Sequence, residues 1–281
     1  MVDDSSFALV LGGGGVTGVA WETGIIAGLA AAGVDLTRAD LIVGTSAGAV
    51  VAAQITSGMP IEDLYQRQLQ PAKGEIGAHF GVATMLRYAA AGLRPGDDRH
   101  ALRQLGHAAR TADTLPEQTR RDVIAGRLPN HDWPAAPRLL ITAIDTETGE
   151  EVVFDRDSGV DLVSAVAASC AVPIVWPTVT IAGRRYMDGG VRSAANAHLA
   201  RGHDRVVVLA PTTTSLRRSG RVTTELAALG PAVRSVVITP DPEAKTAIGR
   251  NVLDPAKRAA AAETGRRQST TALPSISAAL T

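Results

Sequence analysis

Twice within its first 58 residues the chain passes from a short apolar strand through a glycine turn into a helix, and this repeat most restricts its fold. Phe7-Ala8-Leu9-Val10-Leu11 leads into Gly12-Gly13-Gly14-Gly15-Val16-Thr17-Gly18 and then a helix reaching Ala32. Asp40-Leu41-Ile42-Val43 leads into Gly44-Thr45-Ser46-Ala47-Gly48 and a second helix opening at Ala49. Consecutive strand–helix units predict parallel neighbouring strands, and hence an α/β fold with helices on both faces of a mostly parallel sheet.

The second turn carries a chemical signal. A serine between Gly44 and Gly48, at a sharp strand-to-helix turn, is held in a strained backbone with its hydroxyl projecting from the sheet edge. Side chains at 44 and 48 would collide there. The helix that begins at the serine aims its positive end at the oxygen, which favours an alkoxide. The same pentapeptide also arises by chance in a chain with 28 glycines, so its weight comes from the flanking strand and helix.

The first turn has two uses. Gly13-x-Gly15-x-x-Gly18 fits a dinucleotide fingerprint, with Asp35 and Asp40 near the distance at which an acidic residue is required. That residue should close the second strand, yet here the strand ends in Gly44-Thr45-Ser46. Consecutive glycines also expose backbone N–H groups to an anion, as an oxyanion hole requires. In a parallel sheet the two turns lie at adjacent strand ends, donors beside nucleophile.

Far along the chain, Arg184-Arg185-Tyr186-Met187-Asp188-Gly189-Gly190 places an aspartate at the end of a short strand, before two glycines that let the backbone turn. Together, and in this order, the three motifs resemble the patatin-like phospholipase family over about residues 7–210. The stretch Ala168-Ser169-Cys170-Ala171-Val172-Pro173 through Trp176-Pro177 is similar to that family's Ser-x-x-x-Pro segment. The resemblance implies a three-layer fold and a Ser–Asp dyad, with Ser46 attacking the ester and Asp188 taking its proton. It also implies oxyanion donors from Gly13, Gly14 and Gly15, supported by Gly18, Gly44, Gly48, Gly189 and Gly190. One residue departs from the pattern: Thr17 stands where the family often carries Arg or Lys.

An aspartate of ordinary pKa, about 3.9, is a weak base for a serine hydroxyl. The dyad therefore requires burial that raises it. A Ser–acid–His triad is the competing chemistry, because His198 and His203 follow Asp188. His198 lies in a helical stretch and His203 in a turn, whereas His79, His100, His107 and His131 fall in the polar middle region; all six read as exposed or structural.

Composition narrows the partners. The formal net charge is zero and aromatic residues make up 3%, against nucleic-acid binding and base stacking. Lys73, Lys245 and Lys257 are the only lysines. Cys170 is the single cysteine, so no internal disulfide forms, and His/Cys spacing offers no zinc site. No cofactor is expected. Met1-Val2-Asp3-Asp4 opens no signal segment, and no run reaches the roughly 18 apolar residues of a membrane span. The expectation is a cytoplasmic protein meeting a lipid or small acyl ester, with transient membrane-surface contact.

The organisation expected is one α/β unit over 1–281, with its core at about 7–210 and a proline-punctuated helical insertion at about 60–135. Within the insertion, Ile76 to Leu93 carries Phe80, Met85, Leu86 and Tyr88; a lid or acyl-chain wall and an amphipathic helix packed on the sheet both fit. Strands are expected at 138–145, 205–209 and 235–239, a hairpin at 152–154, a helix at 160–170, a loose loop at 212–221, and an Ala/Arg/Glu helix at 255–268 covering the surface. The function expected is acyl-ester hydrolysis through an acyl-enzyme. A short-chain carboxylesterase, a nucleotide-binding module and a catalytically silent regulator stand as alternatives.

Overall fold

The computed structural model describes residues 7–71, 74–78, 97–213, 215 and 217–281. The expected lid residues Phe80, Met85, Leu86 and Tyr88 and the opening Met1-Val2-Asp3-Asp4 lie outside the described residues.

Among the described residues, eight strands form one sheet: β1 Phe7–Leu11, β2 Leu41–Gly44, β3 Arg138–Asp145, β4 Glu151–Phe154, β5 Val179–Ile181, β6 Arg184–Asp188, β7 Arg205–Leu209 and β8 Arg234–Ile238. The order is β5-β6-β3-β2-β1-β7-β8, with β4 also on β3. From β3 to β8 neighbours run parallel, whereas β4, β6 and β5 add an antiparallel end. Both faces of the central strands β1 and β2 are buried, so β1 and the Leu41-Ile42-Val43 run of β2 are apolar on both faces rather than alternating. Leu9, Leu11, Ile42 and Val207 point to one face, Ala8, Val10, Val43 and Val208 to the other.

The first face is covered by α1 Gly15–Ala31, α2 Ala47–Ile55, α6 Leu162–Ser169 and α9 Arg258–Leu280. A short 3₁₀ turn, Ala197–Ala200, and the six-residue α7, Val222–Ala227, cover the second more thinly. Of the expected insertion, α3 Ile61–Leu69, α4 Asp98–Thr111 and α5 Glu117–Arg127 are described. A further short helix, α8 Pro242–Ile248, follows β8. Among the described residues, no helix is long and apolar enough to cross a membrane.

The C-terminal helix departs from expectation. It runs to Leu280 rather than stopping near 268, and it is no surface cover. It packs along α1, where Gly24, Gly28 and Gly265 let the two backbones approach. The indole N–H of Trp21 donates to Gln268 Oε1 at 2.9 Å across that contact. Within the expected loop at 212–221, Arg218–Gly220 forms a 3₁₀ turn.

The antiparallel end decides where the site forms. Ala143 and Ile144 of β3 pair with both β4 and β6, so those strands lie on opposite edges of β3. Ile141 pairs with both Gly44 of β2 and Phe154 of β4, which puts β2 and β6 on the same edge. Strand β6 therefore takes over the edge of β3 where β2 leaves it. Gly44 pairs with Ile141 and Asp188 with Ala143, so the end of β6 lies against the turn after β2.

Candidate active site

At that junction Ser46 has a left-handed backbone, φ 53° and ψ −111°, a conformation a non-glycine residue adopts at a cost of about 1–3 kcal/mol. The flanking glycines make the turn possible through space. A Cβ on Gly48 would lie 2.1 Å from the carbonyl oxygen of Leu11, and one on Gly44 would lie 2.7 Å from Ala49 Cα. Ser46 Oγ donates to Asp188 Oδ2 at 2.7 Å, across 142 residues of sequence.

One segment holds both residues. The hydroxyl of Ser169 accepts the Ser46 N–H at 2.9 Å, and the carbonyl of Ala171 accepts the Asp188 N–H at 3.0 Å. Between them, the Cys170 thiol donates to the Ser46 carbonyl at 3.2 Å, and burial pushes that thiol up to about 12, leaving it inert. Asp188 Oδ1 accepts from the N–H of Gly190 at 2.7 Å, in the 3₁₀ turn Gly189–Val191 that the double glycine permits. Beneath the turn, Asn196 Nδ2 donates to the hydroxyls of Thr45 and Thr142 at 3.0 and 3.1 Å, tying the end of β2 to β3. Sequence reasoning missed Asn196 and Thr142, whose partners are remote in sequence.

Burial raises the Asp188 carboxyl to about 6, while bonds from Ser46 and Gly190 and the Arg120 charge hold it from rising further. Such a carboxylate is a far better proton acceptor near neutrality than an ordinary aspartate.

The glycine loop divides its donors. The Gly13 N–H is already given to the carbonyl of Ala194 at 2.8 Å, which corrects the expectation that Gly13 serves as an oxyanion donor. Gly18 N–H closes the first turn of α1 on Gly14 O, and Thr17 bonds the Val252 carbonyl through its N–H and its hydroxyl. Among the described residues, the N–H groups of Gly14, Gly15 and Ala47 have no acceptor. Ala47, the residue after Ser46, was not singled out in the sequence, although the amide following an elbow nucleophile is a known source of such a donor. Behind the loop, Glu22 accepts from Gly12 N–H at 2.9 Å. Burial raises its carboxyl well above the usual range, while the Gly12 N–H pulls the other way.

Among the described residues, no histidine bonds Ser46 or Asp188. His198 is gripped by Glu151 and Glu225 at 3.0 and 3.2 Å; burial pulls its pKa down, but the two carboxylates outweigh it and raise it to about 9. An imidazolium with both nitrogens bonded accepts no proton. Replacing His198 and His203 together with Gln is expected to lower stability, through His198, while turnover per folded molecule persists. A drop beyond about tenfold in kcat/KM of the folded fraction would restore the triad.

Beside Ser46 lies a small cavity of about 20 Å³, lined also by Ala47, Cys170, Trp176, Leu253 and two arginines, Arg120 and Arg127. Val16, Val19 and Arg127 also line a neighbouring cavity of about 230 Å³. Among the described residues, no cluster of His, Cys, Asp or Glu is placed to hold a metal.

The family model for patatin-like phospholipase matches residues 9–201. No curated protein matches the chain. Among solved structures, the chain is similar to VipD from Legionella pneumophila at 15% identity and a TM-score of 0.48, covering 97% of this chain and 67% of that one. It is also similar to the type III effector protein ExoU at 16% identity and a TM-score of 0.42, covering 96% of this chain and 53% of that one.

Proposed function

The chain belongs to the patatin-like phospholipase family, and on that premise we propose that it hydrolyses lipid acyl esters through a Ser46–Asp188 dyad and an acyl-enzyme. The observation that carries the reading is the 2.7 Å bond from Ser46 Oγ to a buried carboxylate whose pKa is raised to about 6. Ser46 Oγ attacks the ester carbonyl carbon as its proton passes to Asp188 Oδ2. The carbonyl oxygen becomes an anion facing the free N–H groups of Gly14, Gly15 and Ala47, each such donor supplying on the order of 3 kcal/mol. Collapse breaks the bond to the alcohol, which takes the proton back from Asp188. Water then attacks the acyl-serine and gives a proton to Asp188; collapse breaks the bond to Ser46 Oγ, which takes that proton back, and a carboxylic acid leaves. No histidine is needed, because one buried carboxylate serves as base and then as acid.

A fluorophosphonate probe tests the nucleophile directly. The expected result is a single adduct on the peptide carrying Ser46, with none on Ser46→Ala; an adduct elsewhere, or none on the folded protein, refutes the assignment. Hydrolysis of nitrophenyl esters of rising chain length should favour long acyl groups, whereas activity confined to short ones would make the protein a carboxylesterase. The pH profile supplies a further expectation. Asp188 must be ionised to accept the proton, so kcat/KM should climb about tenfold per pH unit below about 6 and level off above it. A profile flat from pH 4 to 8 would remove Asp188 from the base role.

A further inference from the structure

Helix α5 turns Arg120, Ile124 and Arg127 to one face, at the i, i+4, i+7 spacing of a buried stripe. Its first turn is pinned by Glu117, which accepts from the N–H and hydroxyl of Thr180 at 2.8 and 2.9 Å. The two arginines end differently. Arg127 is neutralised by a two-point ion pair with Glu75, Nε to Oε1 at 3.0 Å and Nη2 to Oε2 at 2.5 Å. Arg120 is 4% exposed, lies with its guanidinium carbon 4.0 Å above the Trp176 ring, and lines the Ser46 cavity. Its buried Nε and Nη1 have no hydrogen-bond partner among the described residues.

The carboxylates of Glu75 and Asp188 act on Arg120 only through space, and a buried guanidinium whose N–H groups have no acceptor is costly and persists where a ligand completes it. The surroundings reinforce this. Across the two adjoining cavities the charged lining is Arg67, Arg120, Arg127 and Arg258 against Glu75, in a chain whose formal net charge is zero. Thr17, in the glycine loop, brings no charge of its own.

Resting on the hydrolase reading, we propose that Arg120 is a specificity-determining residue that binds a phosphate group carried by the acyl-ester substrate beside Ser46. Planar, fixed on Trp176 and with free N–H groups, its guanidinium suits two-point contact with phosphate oxygens. An anion there also relieves the repulsion between Arg120 and Arg127.

The test uses the full chain with dihexanoyl phosphatidate and dihexanoylglycerol, both kept monomeric. Binding is read by calorimetry on Ser46→Ala, which needs no turnover, and hydrolysis on the protein with Ser46 intact. We expect Ser46→Ala to bind the phosphatidate at least about tenfold more tightly than the neutral ester, a difference of about 1.4 kcal/mol. Adding Arg120→Gln should erase that ratio and Arg120→Lys restore part of it. With Ser46 intact, Arg120→Gln should raise KM for phosphatidate more than it lowers kcat. Equal affinity for the two esters, or equal loss of both in Arg120→Gln and Arg120→Lys, overturns the proposal in favour of a packing role on Trp176. Inorganic phosphate binding as tightly as the phosphatidate overturns it in favour of a free-phosphate site. An Arg120-dependent preference without hydrolysis upholds this inference and refutes the hydrolase reading.

Discussion

Asp188→Asn is expected to lose about 10²–10⁴-fold in kcat/KM and, at neutral pH, to melt at a higher temperature than the parent protein. The first effect follows from removing the group that takes the Ser46 proton, since an amide has no useful basicity. The second follows from linkage. Burial raises the folded pKa of Asp188 to about 6, above the unfolded value near 3.9. A carboxyl raised in this way favours the fold while it is protonated. That contribution is complete below the unfolded value and is lost as pH climbs from about 4 through 6. At pH 7 the ionised Asp188 costs on the order of 2–3 kcal/mol relative to a neutral group in its place. Asparagine keeps an oxygen for the Gly190 N–H and places an NH₂ toward Ser46 Oγ, so neither neighbour is orphaned. Melting curves should show the gain at pH 7.5 and lose most of it at pH 4.5, alongside ester hydrolysis. An active Asn variant would end the dyad; a variant inactive and less stable at both pH values would show that the carboxylate is held for structure.

That stability cost and the strained backbone of Ser46 arise at the same place, which is where a fold accepts local penalties in return for chemistry. It also marks what a linear reading reaches. The serine elbow is legible because strand, glycine, serine, glycine and helix are neighbours in sequence, and each obeys a local rule. The strands on either side are legible because both of their faces are apolar. Helix α9 was misjudged because its Ala, Arg and Glu content describes an exposed helix, whereas its role depends on small residues matching those of α1. Gly13 was assigned a free donor because a run of glycines looks alike along its length; only the approach of Ala194 from the far side of the sheet separates it from Gly14 and Gly15. Arg120 left no signal, since an arginine on a polar helix in a proline-punctuated stretch reads as solvent-facing. Its burial depends on Trp176, which lies 56 positions away.

The same logic gives one substitution opposite signs at two glycines. In an ordinary helix interior, glycine to alanine gains about 0.5–1 kcal/mol. Gly126 in α5 has no described atom within 4 Å of an added Cβ, so Gly126→Ala should be stabilising by that amount. At Gly24 in α1 the added Cβ would lie 2.1 Å from the carbonyl oxygen of Ala262 and 2.9 Å from the amide nitrogen of Arg266. Both are backbone of α9 and have no rotamer to escape into. Overpacking of this kind costs about 1–3 kcal/mol or more, so it outweighs the propensity gain, and Gly24→Ala should lower the denaturant midpoint markedly. The loss should reach the site as well. The segment leading into α9 supplies the Val252 carbonyl that holds Thr17, two residues beyond the free Gly15 N–H. If α9 is levered away from α1, that carbonyl moves and the loop loosens, so kcat/KM of the folded fraction should fall together with stability. Unfolding curves for both variants decide the matter: a Gly24→Ala protein as stable as its parent would mean that α9 does not bear on α1, and that the helix is the surface cover its composition suggests.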